Sequence, residues 1–499
     1  MGVWPPFYGE VRGMKALALR AIPVFVAAGF VLAVALWLSA TPSYDLTPRL
    51  PAKGRGGPKP FAVAWPGEFE KGEGQPADSF AAWPQFRGPD RSAVAPNSPP
   101  LARSWPEGGP PVVWEVDVGI GYAAPAVQSG RVYLLDYDKE KQADVLRCLS
   151  LADGREIWRR WYKIPIVSDH GISRTVPAVT YQDVVTLGPK CHVMCCDATT
   201  GDFRWGIDLV KKYGTTVPKW YAGQCPLIDM GKAILAPGGP DVLMMAVDCQ
   251  PNEDAPGKPT VAWTTPNPHG WKMTHSSIVP MEFADRRMYI YCASGGVVGV
   301  AAADSEGWKA GDVLWETSDW QVRFANAPSP VVIGNGHVLL SGGYGSGSMM
   351  IRVVENEGGG LDVKTVWRLE KSREFGSEQQ TPVFYNGHVY GVLPKEAGAL
   401  AEQLICMDLT GKHLWSSGRE HRFGLGPYMI ADGLLFAIND DGVLTMAEAT
   451  SEAFKPIEEA EVLPDGHETW GPPALVDGRL LIRDLKRLRC LDLREPKEE

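Results

Sequence analysis

The sequence predicts an all-β fold, an eight-bladed β-propeller of four-stranded antiparallel blades whose ring is closed by an N-terminal strand, with one N-terminal transmembrane helix ahead of it. Three observations predict it. From residue 112 onward, short alternating runs of Val, Ile, Leu and Tyr are broken by x-Gly or Asn-Gly turns, the signature of antiparallel hairpins. Trp158, Trp205, Trp263, Trp315, Trp367 and Trp415 end six successive units, 47 to 58 residues apart, which is the period of a four-stranded blade. No segment between them sustains a helical period, so a helical repeat is rejected.

The elements follow in chain order. Residues 1–20 form a short N-terminus expected on the cytoplasmic side. Arg12, Lys15 and Arg20 precede an apolar run from Ala21 to Ala40, and the next charge is Asp45. About 20 apolar residues cross a bilayer core, and basic residues before them keep that end in the cytoplasm. The run exceeds the apolar core of a cleaved signal peptide, and Leu38-Ser39-Ala40 makes a poor cleavage site. Residues 21–40 are therefore expected to be an uncleaved signal anchor. Residues 41–80 are rich in Pro and Gly and read as an extended spacer.

The propeller is expected over 81–494, with a charged tail at 495–499. Its units begin near Tyr122, Val176, Gln224, His275, Ala327, Thr381, Gly426 and Gly471, which makes eight. The last stops at Leu493 without a Trp-bearing strand. The segment VVWEVDV, carrying Trp114 ahead of the first unit, has the character of that missing strand and is expected to complete blade eight, since an open ring would expose two sheet edges. Trp114 and the six unit-ending tryptophans are assigned to docking one blade on the next, because an indole is large, flat and able to donate to a carbonyl. Asp197 and Asp408 suit turns closed by Gly201 and Gly411. Blade seven departs from the pattern, with no Trp in ATSEAFKPIEEAEVL.

The unit resembles the repeat shared by quinoprotein alcohol dehydrogenases and by the propeller subunit of the bacterial outer-membrane β-barrel assembly machinery. It resembles more closely a group of bacterial membrane-anchored PQQ-like (pyrroloquinoline-quinone-type) repeat proteins, which share WPQFRGPDRSAVAP, Trp83 to Pro96 here. The resemblance covers about residues 81 to 494 and implies the propeller firmly. It implies function weakly, because one fold serves many activities.

Composition excludes some functions. The net charge is −10 and the Lys and Arg residues are scattered, whereas a nucleic-acid partner needs a basic stripe to neutralise phosphates. There is no Gly-x-x-x-x-Gly-Lys, His-Glu-x-x-His or Gly-x-Ser-x-Gly, and Gly119 to Ala124 lacks the strand-turn-helix setting of a dinucleotide site. His269 and His275 lack a third ligand, so no metal site is expected. Cys195-Cys196 invites comparison with the adjacent-cysteine disulfide of quinoprotein dehydrogenases. Yet Cys148, Cys195, Cys406 and Cys490 occupy equivalent repeat positions, which reads as a packing slot.

The segments leading into the innermost strands ring one mouth of the central channel and are richer in polar and aromatic residues than a turn requires. They nominate Arg174, Trp220, Tyr221, Gln224, His275, Arg323, Asn326, Glu378, Gln379, Gln380, Glu468 and Trp470 as ligand-binding candidates in one funnel. The expected function is non-enzymatic: a binding or scaffolding propeller on the periplasmic side of a bacterial inner membrane. Its single-pass tether keeps it near a protein or peptide partner of the cell envelope, and a part in envelope assembly is implied by the resemblance only. No catalytic residue and no cofactor are expected. The alternative is a dehydrogenase dependent on PQQ and Ca²⁺, for which Glu378, Asn326 and Glu468 could supply oxygen ligands and Trp220 or Trp470 a stacking surface. It lacks a well-placed Asp base and the long loop insertions of those enzymes.

Overall fold

The computed structural model describes residue 2 and residues 10–39, 62–167, 171–371 and 374–495. The chain divides into two units, 1–60 and 61–499. In the first, a helix spans Glu10–Ser39. The expected anchor over 21–40 falls on it. Among the described residues no helix is long and apolar enough to cross a membrane, so the anchor is not shown.

The second unit holds eight sheets, each with four antiparallel strands ordered from the centre outward, and two of them carry a fifth strand. The innermost strands are Ala126–Gln128, Ala178–Val179, Leu227–Asp229, Val279–Phe283, Val331–Gly334, Val383–Tyr385, Tyr428–Ala431 and Ala474–Val476, for blades 1 to 8. The innermost strand of blade 8 packs beside that of blade 1, so the ring is closed. The closing strand is the expected one. Val112–Asp117 pairs antiparallel with Arg487–Asp492, placing Trp114 opposite Cys490.

The tryptophans show how one blade docks on the next. The indole N–H of Trp114 donates to the Leu151 carbonyl of blade 1 at 3.0 Å, Trp158 to Thr199 of blade 2 at 3.1 Å, and Trp205 to Cys249 of blade 3 at 3.3 Å. Trp367 reaches Leu409 of blade 6 at 2.8 Å and Trp415 reaches Thr450 of blade 7 at 2.9 Å. Two differ. Trp263 stacks on Tyr289 of blade 4 at 6.1 Å, and Trp315 donates to the sulfur of Met288 within its own blade at 3.3 Å. In blade seven, which lacks the Trp, two arginines of blade 8 take over. Arg489 donates to the Val462 carbonyl at 2.7 Å, and Arg487 donates to that of Pro464.

The repeated cysteines are explained by the same contact. Cys148, Cys195, Cys406 and Cys490 are the cross-strand partners of Trp158, Trp205, Trp415 and Trp114. Ala246 and Gly299 hold the slot opposite Trp263 and Trp315, and a Cβ on Gly299 would lie 2.2 Å from the Trp315 ring nitrogen. In these six blades the residue under the indole is small, whereas in blade 5 Met350 stands opposite Trp367. All nine cysteines are free and buried. Cys195 packs into the core between blades 2 and 3 and Cys196 into that between blades 1 and 2, on opposite faces of one strand.

The expected spacer is ordered over its last part. Residues 62–80 form a strap on blades 1 and 2, in which Glu68–Lys71 adds a fifth strand outside Glu156–Lys163. Trp65 packs between Tyr162 at 4.8 Å and Phe203 at 5.6 Å, over Gly206, where a Cβ would meet its ring at 2.4 Å. An aromatic knob on a glycine floor gives the strap enough buried surface to offset its ordering entropy, which composition alone did not reveal. Residues 41–61 of the spacer and 496–499 of the tail lie outside the described residues.

Candidate functional site

The channel is filled from within by the segment Trp83 to Pro96. The backbone of Trp83 bridges to Val127 of blade 1, the Pro84 carbonyl accepts from Val179 of blade 2 at 2.8 Å, and Val94–Ala95 pairs in parallel with Ile430 and Ala431 of blade 7. Two arginines tie down the turn between. Arg87 donates to the carbonyls of Thr381 and Pro382 of blade 6, the latter at 2.8 Å, and Arg91 to those of Ile278 of blade 4, at 2.8 Å, and Pro226 of blade 3. Both are buried, and burial pulls each guanidinium down to about 10, still charged at neutral pH. A segment reaching the innermost strands of six blades runs across the centre of the ring, so WPQFRGPDRSAVAP is a plug. Arginine suits the task because its rigid fork of donors can serve several strand-end carbonyls that would otherwise be buried without partners.

Above the plug lies a cup of about 130 Å³. Phe86 of the plug lines it, with residues from the lead-in loops of seven blades: Tyr122, Arg174, Trp220, His275, Ala325, Ala327, the run Glu378 to Gln380, and Trp470 among them. Tyr344, from a hairpin turn of blade 5, completes the wall. Gly343 lets that hairpin close on Glu378, whose Cα would be 2.8 Å from an added Cβ, and Gly223 lets blade 3 approach the His275 ring.

Seven of the twelve nominated residues line this cup: Arg174, Trp220, His275, Glu378, Gln379, Gln380 and Trp470. The other five are placed elsewhere. Glu468 stands behind the wall and accepts the Tyr122 hydroxyl at 2.5 Å. Gln224 is buried with its amide spent on the Ala236 backbone in both directions, at 3.0 and 3.4 Å. Asn326 is buried with neither amide atom partnered among the described residues. Tyr221 packs against the core of blades 1 and 2 under the Lys190 ammonium, and Arg323 is exposed on the rim. Tyr122, Tyr344 and Phe86 were missed. Tyr122 marks the start of the first unit, but the sequence singles out no ligand-binding residue in the lead-in of that unit. Nothing local marks Tyr344 or Phe86, which arrive through a hairpin turn and the plug.

The wall is stiff. Trp470 stacks on Tyr122 with centroids 4.9 Å apart and anchors its indole N–H on Asp440 at 2.8 Å. The Gln380 amide donates to the carbonyls of Leu425 and Trp470 at 3.0 and 2.9 Å, tying blade 6 to blades 7 and 8. Trp220, Tyr221, Tyr344 and Glu468 all hold positive φ, at 63°, 76°, 57° and 53°, a conformation that bulky residues keep only where the surroundings impose it. Charged groups line the cup. The Arg174 guanidinium lies 4.8 Å over the Tyr122 ring, and its Nε is buried with no hydrogen-bond partner among the described residues. Burial, then Arg174, pushes the His275 imidazole down to about 4, so it is neutral at pH 7. Burial, then Glu396, pushes the Glu378 carboxyl up.

A closed eight-bladed ring with a plugged channel and a cup at one mouth defines an eight-bladed β-propeller. The family model described as outer membrane protein assembly factor BamB matches residues 107–212 and 141–417, and the chain belongs to this family of PQQ-like repeat propellers. Among solved structures it is similar to BamB from Moraxella catarrhalis, with a TM-score of 0.50 and 12% identity over 78% of this chain and 99% of that one. It is also similar to a europium-containing methanol dehydrogenase (TM-score 0.55, 12% identity, 81% and 89% covered). A third is the quinohemoprotein alcohol dehydrogenase ADHIIG from Pseudomonas putida HK5 (0.57, 14%, 84% and 82%). At such identities the likeness is one of fold. No curated protein sequence matches the chain.

Proposed function

We propose that the chain is a non-enzymatic binding propeller, held at the extracytoplasmic face of a bacterial inner membrane by the expected anchor over residues 21–40 and presenting its cup-bearing mouth to a protein or peptide partner of the cell envelope. The observation that carries the reading is the convergence of seven lead-in loops on one cup over a plugged channel. The fold's most variable segments are thereby gathered on a single rigid face, where docking surfaces are built. Phe324 stands 64% exposed at its rim, packed edge-on to Tyr344. The tether is supported by Val24, Val26, Phe30, Val31, Leu32, Leu36 and Trp37, all large, apolar and exposed on the helix.

The quinoprotein alternative finds less support. The cup's 130 Å³ is below the ~300–1,000 Å³ of pockets for drug-sized ligands, and a tricyclic quinone with its ion needs that room. Calcium takes about six to eight oxygens. Of the three suggested ligands Glu378 alone lines the cup, and no group of three metal-ligating side chains occurs among the described residues. Cys195 and Cys196 face different cores, so they offer no sulfur pair to a cofactor. The residues do not fit the group.

Photo-cross-linking in the native envelope tests the reading. A cross-linking residue at Phe324 is expected to capture a macromolecular partner, and one at Asn335, in the turn at the far end of blade 5, is expected not to. Equal capture from both positions, or none from Phe324, overturns it.

A further inference from the structure

Resting on the reading of the mouth as the binding face, the charge around its rim narrows the partner. Four loops of blades 2 and 3 meet at this end: 188–191 and 236–241 within the blades, and 208–226 and 267–278 leading onward to the next. They are tied together, the Pro189 carbonyl accepting from the Ala222 N–H at 3.0 Å and the Ala236 backbone exchanging bonds with Gln224. Trp220 and His275 carry them to the wall of the cup. In a chain of net charge −10, these loops hold five lysines (Lys190, Lys211, Lys212, Lys219 and Lys272) against two carboxylates, Asp208 and Asp241. Asp208 is taken up locally: it accepts the Lys211 backbone N–H at 2.9 Å and stands 3.6 Å from the His192 ring.

Among the described residues the ion pairs of lysine fall elsewhere, on Lys141, Lys232, Lys309 and Lys455. Three of the five rim lysines lie over aromatic faces instead: Lys190 over Tyr221 at 4.8 Å, Lys212 over Tyr213 at 5.3 Å and Lys219 over Trp220 at 4.4 Å. Such a contact orders an ammonium without cancelling its charge. Within the cup the charges have neighbours of opposite sign, Glu468 for Arg174 and Lys395 for Glu378. The unmatched positive charge is therefore on the rim of blades 2 and 3. The loops of blade 7 at the same end, 439–442 and 462–473, hold Asp440, Asp441, Asp465 and Glu468 and no Lys or Arg. One sector of the mouth attracts an acidic partner and another repels it, which fixes where it can settle.

We propose that the rim of blades 2 and 3 docks an acidic segment, rich in Asp and Glu, of the envelope partner. An anionic bilayer is the other surface that such lysines could meet, but binding there also takes apolar side chains that project into the acyl boundary. Tyr213, Trp220 and Tyr221 are half-buried with ammonium groups over their faces, and Val210 is the one large apolar side chain exposed among the described residues of these loops.

Fluorescence anisotropy of a labelled octaglutamate peptide, titrated with the full chain in phosphatidylcholine nanodiscs, tests this. Saturable binding is expected, weakening about tenfold as NaCl rises from about 50 to about 300 mM. The double variant Lys212→Glu, Lys219→Glu should weaken it by about tenfold or more. Lys258→Glu, Lys364→Glu makes the same charge change on exposed lysines away from the mouth and should leave binding within about twofold. No saturable binding, or equal losses in the two double variants, overturns the proposal. Phosphatidylglycerol vesicles that displace the peptide better than unlabelled octaglutamate does, at equal charge, also overturn it and assign the lysines to a membrane. Cross-linking from Phe324 that persists while octaglutamate fails to bind removes only the acidic partner, whereas loss of both removes the binding face too.

Discussion

Asp144 offers a measurement whose size follows from its surroundings. It lies fully buried on Ala143–Ser150 of blade 1, where the Tyr162 hydroxyl donates to one carboxyl oxygen and the other has no partner among the described residues. Gly188 presses against it, since a Cβ there would come within 2.2 Å of the carboxyl. Burial pushes the carboxyl up to about 7; the Tyr162 bond opposes this and the nearby Asp136 adds to it. The folded state therefore holds a proton that the unfolded chain releases near the ordinary aspartate value of 3.8. Its stabilisation is complete below that value and is lost as pH rises through about 7. At pH 5 the folded carboxyl sits two units below its own midpoint, and at about 1.4 kcal/mol per unit the contribution is about 3 kcal/mol. At pH 8 it has vanished. Asp144→Asn keeps an acceptor for Tyr162 and removes the titration. Urea unfolding followed by tryptophan fluorescence at pH 5 and pH 8 should show the wild type losing about 3 kcal/mol more than the variant between the two. Because the comparison is a difference of differences, the fixed cost of the new amide and the titration of every other group cancel. Parallel behaviour of the two proteins would refute the reasoning.

Three further outcomes are expected. Trp114→Ala removes a buried indole from the closing strand and its bond to Leu151, and should cost about 3–5 kcal/mol in the same unfolding assay, with Trp114→Phe costing clearly less. Gly201 holds a φ of 75° beneath Trp158, whose ring would lie 2.7 Å from an added Cβ. Gly201→Ala should therefore destabilise by more than about 1 kcal/mol, whereas Gly231→Ala, at a similar φ in open space, should lose only the backbone part. Titration with pyrroloquinoline quinone and Ca²⁺ together should give no saturable heat. Micromolar binding lost in Glu378→Gln or Trp470→Ala would reinstate the quinoprotein reading.

Much of the fold was legible because a propeller repeats one local solution. Strand alternation, turn glycines and the Trp period are short-range signals, and together they disclosed eight blades, the closing role of Trp114 and the shared slot of the four cysteines. The site was legible only in part. Arg174, Glu378 and Trp470 could be found because a lead-in loop occupies a fixed place in each repeat. Gln224 and Glu468 have the same place and type, yet one is consumed by the Ala236 backbone and the other by the Tyr122 hydroxyl. Sequence position names a loop, and rotamer and neighbour decide where its side chain points.

By itself, then, the sequence determined the repeat, the blade count and the order of the ring, because each rests on periodicity. Only the tertiary structure decided that Trp83 to Pro96 is a plug rather than a preface, that residues 62–80 are a strap rather than spacer, and that lead-in loops of seven blades meet at one small cup. Those three are contacts between segments tens to hundreds of residues apart. Such contacts leave no local period, because a buried arginine finds its carbonyls on whichever strands the closed ring brings within reach.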